Sequence, residues 1–179
     1  SVGDVAAAVA AGVLSFPDAL RLIDARARLL AGLPEGGAML AIDADEDVVT
    51  SALVPGAVLA ATNHPTSCTV SGAVAAVEQV AATLAASGVR TTRLSVSHAF
   101  HSQLVDPVLD AFTAEVERVT IHPPNLPIVS NLDGAFTPLH ELRRPRWWAE
   151  LLRSPVRFRE GLVTIGALRP SLVLEVGPH

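Results

Sequence analysis

The apolar positions change period along the chain, and the changes mark its parts. Residues 4–12 form an alanine-rich run that reads as a helix. A second helix follows with clear punctuation: Ser15-Phe16-Pro17-Asp18 offers a serine cap, proline in the first turn and an acid three residues after the cap, and Gly32 and Pro34 end it. Projected at 100° per residue, Ala19, Leu20, Leu22, Ile23, Ala27, Leu29 and Leu30 make one apolar face, with Arg21, Asp24 and Arg28 opposite. Arg26 falls in the middle of the apolar face. A guanidinium keeps its charge, so there it must snorkel to water, pair with a carboxylate or meet an anionic ligand.

From residue 38 the rhythm shortens. Residues 38–42 read as a strand, 45–53 as a helix opened by acids, and 57–61 and 67–71 as strands joined by an Asn63-His64-Pro65 turn. Residues 73–86 read as a helix stopped by Gly88, and 90–96 as a strand. The order β-α-β-β-α-β is that of a split βαβ, a ferredoxin-like unit, placed at residues 37–96. The remainder, 1–36 and 97–179, reads as two parts of a larger α/β body. It carries predicted helices at 106–119, 147–153 and 158–168, a strand at 127–130 before the Asn131-Leu132-Asp133-Gly134 turn, and a buried final strand at 172–176.

Composition narrows the function classes. No apolar run approaches the ~18 residues of a membrane span, although mean hydropathy is +0.41, and no signal peptide opens the chain. The net charge of −5 argues against nucleic acid. The single cysteine, Cys68, beside Thr69 and Val70, reads as a buried strand thiol, and its solitude fits a reducing cytoplasm. The six histidines lack partners at metal-ligand spacing, so no metal site is expected. All 13 basic residues are arginines, and Arg143, Arg144, Arg146, Arg153, Arg157 and Arg159 cluster together. That cluster is either a solvated face or a docking surface for an acidic protein or phosphates.

Two short stretches carry candidate chemistry. Ser1-Val2-Gly3-Asp4 opens a helix and matches the second half of a G-x-S-x-G elbow, in which a serine stands on a strand-to-helix turn. Ser97-His98-Ala99-Phe100-His101-Ser102 lies just after a predicted strand, where a general base is commonly presented. Each has a plain structural alternative: Ser1 as simply the first residue of the chain, and a histidine as a satisfied packing residue.

Together, in this order and with the intervening pattern, these stretches resemble the acyltransferase domain of modular polyketide synthases and its relative, malonyl-CoA:acyl-carrier-protein transacylase. The family pattern Gly-His-Ser-x-Gly-[Glu/Asp] is matched from the serine onward, and Ala11-Gly12-Val13-Leu14-Ser15 and His98-Ala99-Phe100-His101 match as well. The resemblance implies a partial α/β-hydrolase-like acyltransferase core with an inserted ferredoxin-like (βαββαβ) subdomain, truncated at both ends. It implies Ser1 as nucleophile, the Val2 N–H as one oxyanion donor with a second from an upstream segment, and His101, rather than His98, as base. It also implies Arg26 as the clamp on the malonyl carboxylate, Phe100 as a bulky selector against a methyl branch, Asn63 as a pocket-lining residue, and the main-chain carbonyl of Leu151, four residues before Pro155-Val156, as the group orienting the imidazole. Ser130-Asn131 is read as turn chemistry. The implied reaction moves a malonyl unit from malonyl-CoA to the phosphopantetheine arm of an acyl carrier protein, with neighbouring domains such as a ketosynthase, no permanently bound cofactor, and a cytoplasmic setting. The competing expectations are a catalytically silent scaffold within a larger synthase and a serine hydrolase using the same elbow.

Overall fold

A computed structural model describes residues 2–177. Helix α1 (Val2–Ala10) is followed by α2 (Phe16–Ala31), whose Ser15 cap accepts the Asp18 N–H and whose C-terminus closes at Gly32. Then come β1 (Gly37–Ile42), α3 (Glu46–Ser51), β2 (Ala57–His64), β3 (Ser67–Ala73), α4 (Val74–Ala86) and β4 (Thr91–Arg93). A 3-10 helix (Gln103–Val108) leads into α5 (Leu109–Val116), and α6 (Leu139–Leu142), α7 (Pro145–Arg153) and α8 (Phe158–Ala167) complete the order.

The four strands make one antiparallel sheet in the order β2-β3-β1-β4. Its apolar face, with Leu40, Ile42 and Val70, packs on Val49 of α3 and on Val77, Val80 and Leu84 of α4. A separate core lies among the helices, where Val13, Leu22, Phe112, Trp148 and Leu151 pack together. The Trp148 indole N–H, buried there, donates to the Leu142 carbonyl at 2.9 Å. The α/β class expected from the apolar pattern is therefore present, as a sheet unit joined to a helical body.

The two are joined through Val156. Its N–H donates to the Ala60 carbonyl at 2.8 Å and its carbonyl accepts the Thr62 N–H at 2.9 Å, so a segment just beyond α7 runs along β2. Beside this seam the Thr62 hydroxyl donates to Glu160, and Arg157 pairs with Glu46 at 2.7 Å.

Several expectations are corrected. Asn63 and His64 belong to β2, and the turn is Pro65-Thr66, because pairing with Ser67 extends the strand. The strand expected at 90–96 shortens to Thr91–Arg93. At 127–130 there is only an isolated bridge, Val129 to Phe136. Residues 172–176 are neither strand nor buried, with Leu172, Leu174 and Val176 76–87% exposed. A strand exists through its hydrogen-bonded neighbour, and among the described residues none runs beside them. On α2, Leu20 and Ala27 lie outside the buried face, which consists of Ala19, Leu22, Ala25 and Leu30.

Candidate active site

The 97–102 segment leaves β4 and lies against the start of β1. A Cβ on Gly37 would come within 2.6 Å of both the Cβ and the N of Ala99, so glycine is what lets the two backbones approach. His98 ties the segment to the end of α2, its ring Nε2 lying 3.1 Å from the Leu33 carbonyl. Ser102 closes the other end: its hydroxyl donates to the Ala99 carbonyl at 2.7 Å and accepts the Leu104 N–H, capping the 3-10 helix.

His101 is held between these ties in a left-handed backbone conformation, φ 59°. For a residue with a Cβ that conformation costs about 1–2 kcal/mol, and the surroundings enforce it. The His101 N–H donates to the Leu152 carbonyl at 3.2 Å, and the ring Nδ1 lies 2.9 Å from the Ser154 carbonyl. A carbonyl only accepts, so Nδ1 carries the proton and Nε2 keeps its lone pair. The side chain is buried, and desolvation pushes its pKa down to about 4; the Arg26 charge adds to this, while the bond to Ser154 opposes it. At neutral pH His101 is a neutral imidazole with Nε2 unprotonated.

The orienting carbonyl is that of Ser154, not Leu151. Leu151 is inside α7, its side chain buried in the helical core. Ser154 is the C-cap, with ψ 157°, so its carbonyl swings out of the helix direction toward His101. The signal for this was present in the sequence. A residue preceding proline is pushed toward extended backbone, and Ser154 precedes Pro155.

Arg26 reaches the same neighbourhood from α2. Half-buried, it lines a cleft of about 340 Å³ with Leu30, His98 and Phe100, and its guanidinium carbon lies 5.8 Å from the centroid of the Phe100 ring. Burial pulls its pKa down from the ordinary arginine value. A larger cleft of about 440 Å³ between α1 and α8, lined by Ala7, Leu126, Phe136 and Ile165, has no titratable lining and offers no such chemistry.

The remaining expected residues are distributed unequally. Val2 is the first residue of α1, its side chain partly exposed, and the N–H groups of a first helical turn lack intrahelical partners. Ser1 lies outside the described residues. Asn63 is exposed near the end of β2 and does not line the Arg26 cleft; β2 is the edge strand of the sheet, separated by β3 from β1, against whose start the Phe100 segment lies. The arginine cluster is largely neutralised: Arg144, Arg146, Arg153, Arg157 and Arg159 each pair with a carboxylate. Cys68 is the buried strand thiol expected, with burial first, then Glu46, raising its pKa. Among the described residues no cluster suits a metal ion and no helix is long and apolar enough to cross a membrane.

Comparison with known proteins gives one consistent picture. Residues 1–179 match the family described as acyl transferase domain. Polyketide synthase GfsA of Streptomyces halstedii is 45% identical over 181 residues, covering 99% of this chain but 2% of that synthase. The acyltransferase domain from the second module of the salinomycin polyketide synthase superposes with a TM-score of 0.87 at 46% identity, covering 92% of this chain and 39% of that one. The acyl transferase domain of SpnD, solved in complex with 2-(pent-4-yn-1-yl)malonyl, gives a TM-score of 0.85 at 34% identity, covering 89% of this chain and 39% of that one.

Proposed function

The chain belongs to the acyl transferase domain family, and from that premise we propose that it transfers a malonyl unit from malonyl-CoA to the phosphopantetheine thiol of an acyl carrier protein, by way of a malonyl-serine at Ser1. The observation that carries this reading is the 2.9 Å contact of His101 Nδ1 with the Ser154 carbonyl, which leaves Nε2 basic beside the cleft of Arg26 and Phe100.

In the first half-reaction Nε2 of His101 takes the Ser1 hydroxyl proton as the oxygen attacks the thioester carbonyl. The Val2 N–H, at the positive end of α1, donates to the oxyanion. Collapse breaks the carbon–sulfur bond, and the imidazolium returns its proton to the departing CoA thiolate. In the second half the carrier thiol loses its proton to His101 and attacks the malonyl-serine ester, and the serine oxygen leaves with that proton. Arg26 pairs with the free carboxylate throughout, a fork that can engage both oxygens. Phe100 crowds the α-carbon and favours malonyl over a branched unit.

The strand order β2-β3-β1-β4, with crossovers through α3 and α4, supports reading the sheet unit as a ferredoxin-like subdomain. The hydrolase-like character of the other part rests on the family resemblance. Neighbouring synthase domains, a ketosynthase among them, and a cytoplasmic setting belong to the same proposal.

Intact-mass spectrometry of the full chain after incubation with malonyl-CoA is the test. A malonyl adduct that is absent in Ser1→Ala and moves to a carrier protein supports transfer. An adduct lost to water without any acceptor would indicate a hydrolase, and no adduct at all would leave a silent scaffold.

A further inference from the structure

Asn131, whose match to the family pattern reads as turn chemistry, makes contact with both halves of the machinery just described. Its side-chain Nδ2 donates at 3.0 Å to Oδ1 of Asp4, a buried residue in the first turn of α1. Its backbone carbonyl accepts the Arg157 N–H at 2.8 Å, three residues beyond the Ser154 carbonyl that meets His101. The turn that presents Asn131 is itself fixed. The Ser130 hydroxyl accepts the Leu132 N–H and the Ser130 carbonyl accepts the Gly134 N–H, both at 2.9 Å. Gly134, at φ +72°, is pressed so closely on α8 that a Cβ there would lie 2.4 Å from the Glu160 Cβ. On its other side the 154–157 segment is anchored to β2 through Val156.

We propose that Asn131 is a positioning residue of the transfer reaction, holding α1, which follows Ser1 in the chain, in register with the segment that aims His101. The proposal rests on the function given above, since it assumes that Ser1 and His101 act on one carbonyl carbon. The chemistry selects an amide: its N–H donates to a carboxylate, whereas an aspartate at 131 would set two carboxylates against each other. Misplacement of reacting groups by about 1 Å is enough to cost on the order of 100-fold in rate.

The test uses the full chain and follows single-turnover acylation by malonyl-CoA together with its half-saturating concentration, well below each variant's Tm. Asn131→Ala and Asn131→Asp are expected to slow acylation by about 10- to 100-fold with half-saturation unchanged. Adding Asp4→Asn to Asn131→Asp reverses donor and acceptor and is expected to restore the rate to within a few-fold. A folded Asn131→Ala variant that acylates at the wild-type rate overturns the proposal. So does a folded double variant as slow as Asn131→Asp, a comparison that decides the matter even if Asn131→Ala fails to fold. If half-saturation rises while the maximal rate holds, Asn131 serves binding and the proposal fails. Wild-type chain that forms no adduct removes the functional reading itself, whereas normal wild-type acylation with unaffected variants removes only the role of Asn131.

Discussion

The guanidinium of Arg26, on α2, lies 5.8 Å from the centroid of the Phe100 ring, in the segment after β4. Stacking over an aromatic face steadies a half-buried cation. The two side chains to which the proposed function gives the carboxylate and the α-carbon thus lie together, and changing either is expected to disturb the other.

On the proposed function, Arg26→Ala removes charge-assisted bonds to the malonyl carboxylate, worth about 1.5–3 kcal/mol each. We expect kcat/KM for malonyl-CoA to fall by about 100- to 1,000-fold. Acetyl-CoA, which has no carboxylate, should change far less. Equal losses for the two thioesters would show that Arg26 acts on folding and not on the substrate.

Phe100→Ser opens space at the α-carbon and removes the ring beneath Arg26. A methyl group in a pocket is worth about 1–3 kcal/mol, so the methylmalonyl-to-malonyl ratio of kcat/KM is expected to rise about tenfold or more. Malonyl turnover should also weaken, because Arg26 loses its platform. Competition between the two CoA thioesters, read by mass spectrometry of the acylated carrier, reports both effects.

The His101 pKa of about 4 makes two pH predictions. Acylation should hold its rate as pH falls through 6.5 and decline only near 4, because Nε2 stays unprotonated until then. Stability moves in the matching direction. Between the unfolded value of about 6.5 and the folded value of about 4, the unfolded chain binds a proton that the folded chain refuses. Folding stability therefore rises with pH across that window and is lost as pH falls, by on the order of 3 kcal/mol. Urea midpoints at pH 7 and pH 4.5 for wild type and His101→Asn should show this loss in wild type alone.

Ser154 and Leu151 give opposite outcomes. Ser154 meets His101 through its main-chain carbonyl, so Ser154→Ala should leave acylation within about twofold, as for a neutral surface change. Leu151→Ala empties a buried site and should cost about 2–5 kcal/mol of stability, with the folded fraction still acylating. A large rate loss in Ser154→Ala at unchanged Tm would contradict this assignment.

Gly37→Ala places a methyl group 2.6 Å from the Cβ and N of Ala99. Relieving the clash must shift the loop that carries Phe100 and His101. Overpacking of this kind costs about 1–3 kcal/mol, and acylation should fall more than stability does. Acylation rate and thermal midpoint, measured side by side, check it.

Some elements were plain in the chain because a local cause decides them. Ser15, Pro17 and Gly32 mark the ends of α2 through their own backbone preferences, and the helical period alone turned Arg26 inward. The choice of Ser154 over Leu151 was harder to see. It depends on which carbonyl leaves the helix axis, and on where the loop of His101 comes to rest. Residues 172–176 failed as a strand for a related reason: an apolar run shows what a strand would bury, not whether a partner lies beside it.

By itself, the order of residues determined the ends of α2, the β-α-β-β-α-β succession and which side chains could do chemistry, since each follows from interactions within a few residues. The helix expected at 106–119 is instead a 3-10 helix leading into the shorter α5. The tertiary structure alone decided that His101 meets the Ser154 carbonyl, that Phe100 lies under Arg26 and that Asn131 joins Asp4 to the 154–157 segment. Those contacts connect groups far apart in the chain, and their geometry is set by how helices and sheet pack, which no local propensity encodes.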